Sequence, residues 1–310
     1  MKNIYLKVFK QKDFFKGELK FNEMMSRHTS LKIGGPADIY AVPQDLTSLR
    51  ELLVELKRAQ LPFYPLGGGT NLLIKDGGIQ GAIVSLRFFR RIGTLREDGI
   101  YIYLNIEAGV PLQRLVSTSA ERGLTGVEGL VGIPGTAGGA ICGNSGAFGY
   151  EMKDVVISAD IMNDEGKITT YKAEDLQFRY RSSGVLPTSL IISAEIKLKK
   201  AEVNSVSAKI EEFLKIKREK QPIWEVSAGC VFKNPPGLSA GKLIDDAGCK
   251  GMRVGDVEVS NVHANFFINK GRAKASDFIK LMQKVSDAVR KKTKIILEPE
   301  IKIIGRDVKG

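Results

Sequence analysis

Between Gly123 and Gly149 the chain reads GLTGVEGLVGIPGTAGGAICGNSGAFG, with glycines at 123, 126, 129, 132, 135 and 138 in steps of three. A backbone this poor in side chains must turn sharply or be approached closely, because ordering glycine costs more conformational entropy than ordering any other residue. The run is not collagen-like: it is short and holds a single proline, Pro134. A second glycine loop, Gly67-Gly68-Gly69-Thr70-Asn71, follows directly on the strand-like segment LPFYPL. It offers consecutive backbone N–H groups with no side chain in the way, the surface that a pyrophosphate needs. It lacks the third glycine of G-x-G-x-x-G and the lysine of a P-loop. The segment Gly237 to Lys242 falls one residue short of the P-loop spacing and ends in Leu243, so it reads as a helix start. Alone, the loop at 67–71 is equally a plain turn; together, the two loops suit one long anionic cofactor lying across both.

Around the loops the pattern alternates strand and helix. Leu46, Leu49, Leu52, Leu53 and Leu56 recur at helical spacing over 45–60, with Ser48 and Glu51 as a capping box, and all five leucines are assigned to the core. ADIYAVP, LPFYPL, GAIVSL and IYIYLNIEAG read as strands, and Pro111 to Gly123 as a helix with proline near its start and glycine after its end. DVVISADIM and KITTYK are strands joined by the turn Asn163–Gly166, followed by the alternating strand SLIISAEIKLK. After residue 200 the pattern predicts helices over 203–220, 239–247 and 275–293, strands around 257–268, and a final strand EIKIIG. In the long last helix Phe278, Leu281, Met282, Val285 and Val289 face inward. In the final strand Glu300 and Lys302 share one face, Ile301 and Ile303 the other. At roughly 150 residues per domain, 310 residues suggest an N-terminal segment 1–30, a domain 31–200 with parts at 31–86 and 87–200, and a domain 201–310.

The net charge is +12, of which +7 falls after residue 200. No block of like charges with interleaved aromatics accompanies it and only one tryptophan is available for stacking, so a nucleic-acid platform is disfavoured and a small polyanionic ligand accounts for the charge. No apolar run approaches the roughly 18 residues of a membrane span. The N-terminal MKNIYLKVFKQKDFFKGELK lacks an apolar signal-peptide region, which points to the cytoplasm. Cys142, Cys230 and Cys249 share no C-x-x-C spacing and only His28 and His263 accompany them, so no metal site is expected.

PLGGGTNLLI and the glycine run resemble the FAD-binding loops of the UDP-N-acetylenolpyruvoylglucosamine reductase family. TSLKIGGPADIYAVP at 29–43, FRYRSSG at 178–184, SAGCVFKNP at 227–235, SNVHANFFIN at 260–269 and LEPEIKIIG at 297–305 are similar to that family's blocks, in the family's order, over about residues 26–305. The resemblance implies an α+β flavoprotein: a two-part FAD-binding domain of the vanillyl-alcohol-oxidase-like kind, and a C-terminal α+β domain for substrate. It further implies a cytoplasmic enzyme of peptidoglycan precursor synthesis, and so of cell-wall biogenesis, shape and division. In that enzyme NADPH reduces FAD, and hydride passes to the enolpyruvyl double bond of a UDP-sugar, giving UDP-N-acetylmuramate. No nucleic acid, membrane insertion or obligate protein partner is implied.

Hydride addition to the methylene carbon builds negative charge on the neighbouring carbon and its carboxylate, so such a site needs a cation, a polarising group and a proton donor. By resemblance these are Arg181, Glu300 and Cys230. Arg181 would hold the carboxylate with its planar fork. Glu300 would lie near the same carboxylate, protonated or paired with Arg181. Cys230 stands where the family commonly has serine; a thiol, with an unperturbed pKa of about 8.5, is the better acid, at the risk of oxidation. The resemblance assigns cofactor binding to Gly67, Gly68, Gly69, Thr70, Asn71, Gly132, Ile133, Pro134, Gly135, Thr136, Gly138, Gly139, Asn144 and Ala147. It assigns substrate and nicotinamide phosphate contacts to Tyr180, Lys220, Lys233 and Asn234, with His263 either contacting ligand or packing. Only a few residues separate Gly184 from the strand SLIISAEIKLK, so the chain looks like the family's shorter form, without the inserted segment that carries a capping tyrosine. The rivals are another FAD-dependent oxidoreductase on the same fold, which would turn over with oxygen and without NADPH, and a basic nucleic-acid-binding protein, which would carry no flavin and bind in a salt-sensitive way.

Overall fold

A computed structural model describes residues 15–308, so most of the N-terminal stretch read above as lacking a signal lies outside the described residues. The elements run β1 (Gly17–Met24), β2 (Pro36–Pro43), α1 (Leu46–Arg58), β3 (Phe63–Leu66), β4 (Leu72–Ile74), β5 (Ile79–Ser85), β6 (Ile92–Asp98), β7 (Tyr101–Glu107), α2 (Leu112–Glu121) and β8 (Leu124–Thr125). There follow α3 (Ala137–Cys142), β9 (Gly146–Ala147), β10 (Tyr150–Glu151), β11 (Val156–Met162), β12 (Ile168–Lys172), β13 (Leu190–Lys200), α4 (Val203–Lys220), α5 (Ala240–Asp246), β14 (Arg253–Val254), β15 (Val257–Val259), β16 (Phe267–Asn269), α6 (Ala275–Thr293) and β17 (Lys302–Ile304). The described residues gather into two compact units, one comprising 15–21, 39–68 and 81–215, the other 22–38, 69–80 and 216–308.

The first unit is built on an antiparallel sheet ordered β12-β11-β13-β7-β6, with β8 also paired to β13. Its long central strand β13 alternates buried isoleucine and leucine with polar residues at its far end, as a half-solvated antiparallel strand should. In the same unit β3 and β5 pair in parallel, Phe63 opposite Ala82 through Leu66 opposite Ser85. A parallel pair needs a crossover or a chain excursion between its strands. Helix α1, just before β3, buries Leu49, Leu52, Leu53 and Leu56 in the core that also holds Phe63, Ala82 and Val84. Two details of α1 differ from the pattern reading. Leu46, in the first turn, is 40% exposed rather than core. The cap is Asp45, whose carboxylate accepts from the Ser48 N–H at 2.7 Å, while the Ser48 hydroxyl accepts from the Lys16 N–H. A carboxylate at the helix N-terminus outcompetes a hydroxyl one turn in, because it also meets the dipole.

In the second unit β14, β15 and β16 form a small antiparallel sheet, and β17 pairs in parallel with β4, Lys302 opposite Leu72 through Ile304 opposite Ile74. Helix α6 packs Phe278, Leu281, Met282, Val285 and Val289 into a core with Phe232, Phe267 and Leu297. Its first N–H groups, which no intrahelical carbonyl can reach, donate instead to Asp76: Ala275 at 2.8 Å and Ser276 at 3.0 Å. Arg290, Lys291 and Lys292 end it, where the dipole favours cations. The strand read over EIKIIG begins only at Lys302, because the N–H groups of Glu300 and Ile301 both turn to the Val231 carbonyl. Among the described residues no helix is long and apolar enough to cross a membrane.

Candidate active site

Within the first unit the two glycine loops meet. A methyl group added at Gly67 would stand 2.9 Å from the Thr136 hydroxyl and 3.7 Å from the Gly139 Cα, so the first loop leans on the start of α3. Thr136 is the N-cap of that helix, its hydroxyl accepting from the Gly139 N–H at 3.4 Å. Gly138 is buried against Ala108, where an added Cβ would come within 2.7 Å of the Ala108 Cβ. The intervening stretch is held by α2: the Gln113 amide donates to the Ile133 carbonyl at 2.7 Å and accepts from the Gly132 N–H at 2.9 Å. The Leu112 N–H donates to the Gly135 carbonyl. Gly67, Gly68, Gly132, Pro134 and Gly139 are exposed. Apart from the Pro134 ring, the exposed surface of these loops is bare backbone.

Beyond α3 the chain makes a short hairpin, Gly146 opposite Glu151 and Ala147 opposite Tyr150. Gly146 can be only glycine, since a Cβ there would meet the Tyr150 carbonyl at 2.2 Å. Tyr180 and Arg181 form the tip of a tight turn closed by reciprocal hydrogen bonds between Arg179 and Ser182, of 2.9 and 3.2 Å. Arg181 sits at φ 58°, a left-handed conformation that costs a non-glycine residue about 1–2 kcal/mol. Its guanidinium donates to the Gly146 carbonyl at 2.9 Å and lies 5.0 Å from the Tyr180 ring centre. The Ser183 hydroxyl donates to the Cys142 carbonyl. The turn is thus attached to the closing part of the glycine run.

Asn144 is fully buried, and its side chain is engaged within the protein: the amide donates to Glu151 and to the Arg179 carbonyl, both at 3.0 Å, and the oxygen accepts from the Lys153 N–H. The motif reading assigned this asparagine to cofactor binding; its burial among several protein partners is the signal that structure supplies.

In the second unit the SAGCVFKNP block runs as an extended segment between two others. On one side Cys230 bridges Phe266 and the Val231 N–H donates to the Asn265 carbonyl. On the other side Phe232 bridges Pro299, the Glu300 N–H donates to the Val231 carbonyl at 2.8 Å and the Lys233 N–H to the Glu298 carbonyl. Cys230 and Glu300 therefore lie on adjacent extended segments. Asn265, a residue that the motif reading passed over, is 1% exposed and clasps Phe232 with both ends of its amide, donating to the carbonyl at 2.7 Å and accepting from the N–H at 2.9 Å.

The first glycine loop continues into this unit. Gly69 is buried at φ 64°, its Cα facing the His28 carbonyl so closely that a Cβ would lie 2.1 Å from it. Thr70 is half-buried, and the Asn71 amide donates to the Glu300 carbonyl at 3.2 Å. The remaining candidates divide. Lys220 is exposed at the end of α4. Lys233 is paired with Glu298 at 2.5 Å. The Asn234 oxygen accepts from the Ala240 N–H at the start of α5. His263 packs on Gly241, and its Nδ1 accepts from the Asn265 N–H at 3.2 Å. Burial, abetted by the charge of Lys250, pulls its pKa below the ordinary imidazole value.

Comparison with known proteins matches residues 221–304 to the model of the UDP-N-acetylenolpyruvoylglucosamine reductase C-terminal domain, and residues 37–172 to that of an FAD binding domain. A UDP-N-acetylenolpyruvoylglucosamine reductase of Syntrophus aciditrophicus is 40% identical over 291 residues, 94% of this chain and 93% of the relative. One of Caldanaerobacter subterraneus subsp. tengcongensis is 41% identical over 300 residues, 96% of this chain and 98% of the relative. The crystal structure of a UDP-N-acetylenolpyruvylglucosamine reductase from Thermus caldophilus superposes with a TM-score of 0.78 at 32% identity, covering 94% of this chain and 99% of that one. With end-to-end coverage on this scale, the chain belongs to the UDP-N-acetylenolpyruvoylglucosamine reductase family.

Proposed function

We propose that this protein reduces the enolpyruvyl group of UDP-N-acetylglucosamine enolpyruvate to UDP-N-acetylmuramate, with NADPH as the source of hydride and FAD as its carrier. The residues present fit FAD: the strip of exposed backbone at Gly67, Gly68, Gly132 and Gly139, seated on Thr136 and Gln113, is free of side chains where a diphosphate would lie. Bound there, FAD supplies a two-electron carrier that takes hydride from NADPH and gives it to the substrate's methylene carbon. Gly69, Thr70, Asn71, Ile133, Pro134, Gly135, Gly138, Asn144 and Ala147 complete the proposed cofactor set, several of them through backbone or by shaping the loops.

The protein's own groups handle charge and proton. Arg181, presented at the tip of a braced turn, would bind the substrate carboxylate and oppose the negative charge that develops beside it. Cys230 would donate the proton that the neighbouring carbon takes up once hydride has arrived, so that one hydride and one proton add across the double bond. Glu300 would polarise the same carboxylate. Tyr180, Lys220, Lys233, Asn234 and His263 remain proposed substrate contacts, Lys233 in exchange with its partner Glu298. The observation that supports this reading best is the pairing of the Cys230 segment with the Glu300 segment through Val231. Residues 31–200 would serve the cofactor and 201–310 the UDP-sugar, after an N-terminal segment 1–30. The short link between Gly184 and β13 fits the family's shorter form. The cytoplasm, cell-wall synthesis and the absence of an obligate protein partner belong to the same proposal.

The test is an anaerobic visible spectrum of the FAD-loaded protein, bleached with NADPH and then given UDP-N-acetylglucosamine enolpyruvate. Return of the oxidised-flavin colour is expected. A flavin that stays bleached would overturn the substrate assignment, and failure to retain FAD would overturn the reading as a whole.

A further inference from the structure

Arg181 is held in a left-handed conformation by contacts that converge on one short stretch of chain, Cys142 to Glu151. Two of them act at the edges of the turn or on the guanidinium: Ser183 to the Cys142 carbonyl, and Arg181 to the Gly146 carbonyl. The third enters from beneath. Asn144, itself at φ 40° and without solvent exposure, donates to the Arg179 carbonyl, the residue whose backbone closes the turn. Its other amide hydrogen goes to Glu151, which also pairs with Lys153 at 2.6 Å. Burial alone would raise the Glu151 carboxyl; the hydrogen bonds from Lys153 and Asn144, with the charges of Lys153 and Arg181, outweigh it and hold the pKa below the usual carboxylate range. Glu151 is thus an anion in the field of Arg181, on the strand opposite Gly146.

We propose that Asn144 is the positioning residue for Arg181, fixing the turn on one side and, through Glu151, the electrostatic setting of the guanidinium on the other. This rests on the reading of Arg181 as the group that binds the substrate carboxylate. A buried amide with three structural partners does not reach a substrate; its effect is transmitted through the Arg179 carbonyl. Since the same stretch closes the glycine run, the segment proposed to cradle the cofactor also sets the arginine.

The experiment is a double-mutant cycle on the FAD-loaded enzyme, read by stopped-flow reoxidation of the NADPH-reduced flavin with UDP-N-acetylglucosamine enolpyruvate. It is read in parallel by calorimetric affinity of the oxidised enzyme for that substrate and by the flavin-to-protein absorbance ratio. Asn144→Ala is expected to slow reoxidation and weaken affinity by roughly 10- to 100-fold, the scale of an ångström-sized misplacement. Rates are taken per bound flavin, and reoxidation by the substrate is expected to fall clearly more than flavin reduction by NADPH. In an Arg181→Ala background the Asn144→Ala change should add nothing further. A second variant, Asn144→Asp with Glu151→Gln, keeps a hydrogen bond between positions 144 and 151 and the acceptor for the Lys153 N–H, and removes the tie to Arg179; per bound flavin it should remain slow in reoxidation. Multiplicative losses in the cycle, an equal loss in the NADPH half-reaction, or wild-type reoxidation in the swapped variant would overturn the proposal. Wild-type reoxidation in Arg181→Ala alone would instead overturn the underlying assignment of Arg181.

Discussion

The peptide N–H of Glu300 donates to the carbonyl of Val231 at 2.8 Å, so the segments that carry Glu300 and Cys230, one position before Val231, are joined through main chain. Side chains at these two positions can therefore be exchanged without dismantling the segment. The Asn265 clasp on Phe232 holds it independently.

Cys230→Ser is accordingly expected to keep substantial turnover, since a hydroxyl can still deliver a proton, whereas Cys230→Ala should slow substrate-driven flavin reoxidation by roughly 10²–10⁴-fold, the usual worth of a positioned general acid. Single-turnover absorbance of the NADPH-reduced enzyme measures both. Equal, near-wild-type rates in the two variants would remove Cys230 from the mechanism.

Gly67 tests the cofactor strip. Valine there would drive a branched side chain into Thr136, already 2.9 Å from the first carbon, and cover the adjoining backbone. We expect purified Gly67→Val to retain less than about a tenth of the wild-type flavin, with unchanged far-ultraviolet circular dichroism. Full flavin occupancy would show that the strip is not where the cofactor lies.

His263 gives a pH dependence with a definite sign. Its folded pKa lies below the unfolded value because burial disfavours the cation. As pH falls through about 6.5 the unfolded chain takes up a proton that the folded chain refuses, so stability declines from there down to the folded pKa and then levels off. Urea midpoints between pH 7.5 and 5 should drop more for wild type than for His263→Gln; parallel curves would mean that His263 titrates alike in both states.

Asp76 is the cap of a helix that starts almost two hundred residues later. Replacing it with alanine strips Ala275 and Ser276 of their acceptors and should lower unfolding free energy by about 1–2 kcal/mol. Asp76→Asn, which keeps one acceptor oxygen, should lose less. Chemical denaturation settles the comparison.

The contrast between Asp45 and Asp76 shows where sequence reading stops. The helix over 275–293 was legible because its inward residues repeat at helical spacing for several turns. The cap of α1 was misplaced by three residues because Ser48 and Asp45 are both plausible caps, and only the tertiary demand of Lys16 on the Ser48 hydroxyl separates them. Asp76, β4 with β17, and the hub at Asn144 join residues far apart in the chain or buried for reasons no local pattern carries. The motif residues around Cys230 and Glu300 were legible as blocks. That Asn265 and Val231 bind those blocks together was not, since backbone pairing between short non-alternating segments leaves no periodic trace.

The parallel pair of β4 and β17 places residue 72 beside residue 302, and the second unit draws on chain from before residue 38 as well as on the last hundred residues. On a ribosome adding roughly 5–20 residues per second, some tens of seconds separate the emergence of the two strands. During that interval β4 lacks the strand that pairs with it, and the sheet built around β13 is synthesised within the same interval. Completion of the second unit therefore waits on chain made long after β4. Until β17 is made, the growing chain carries a strand edge that the finished fold covers.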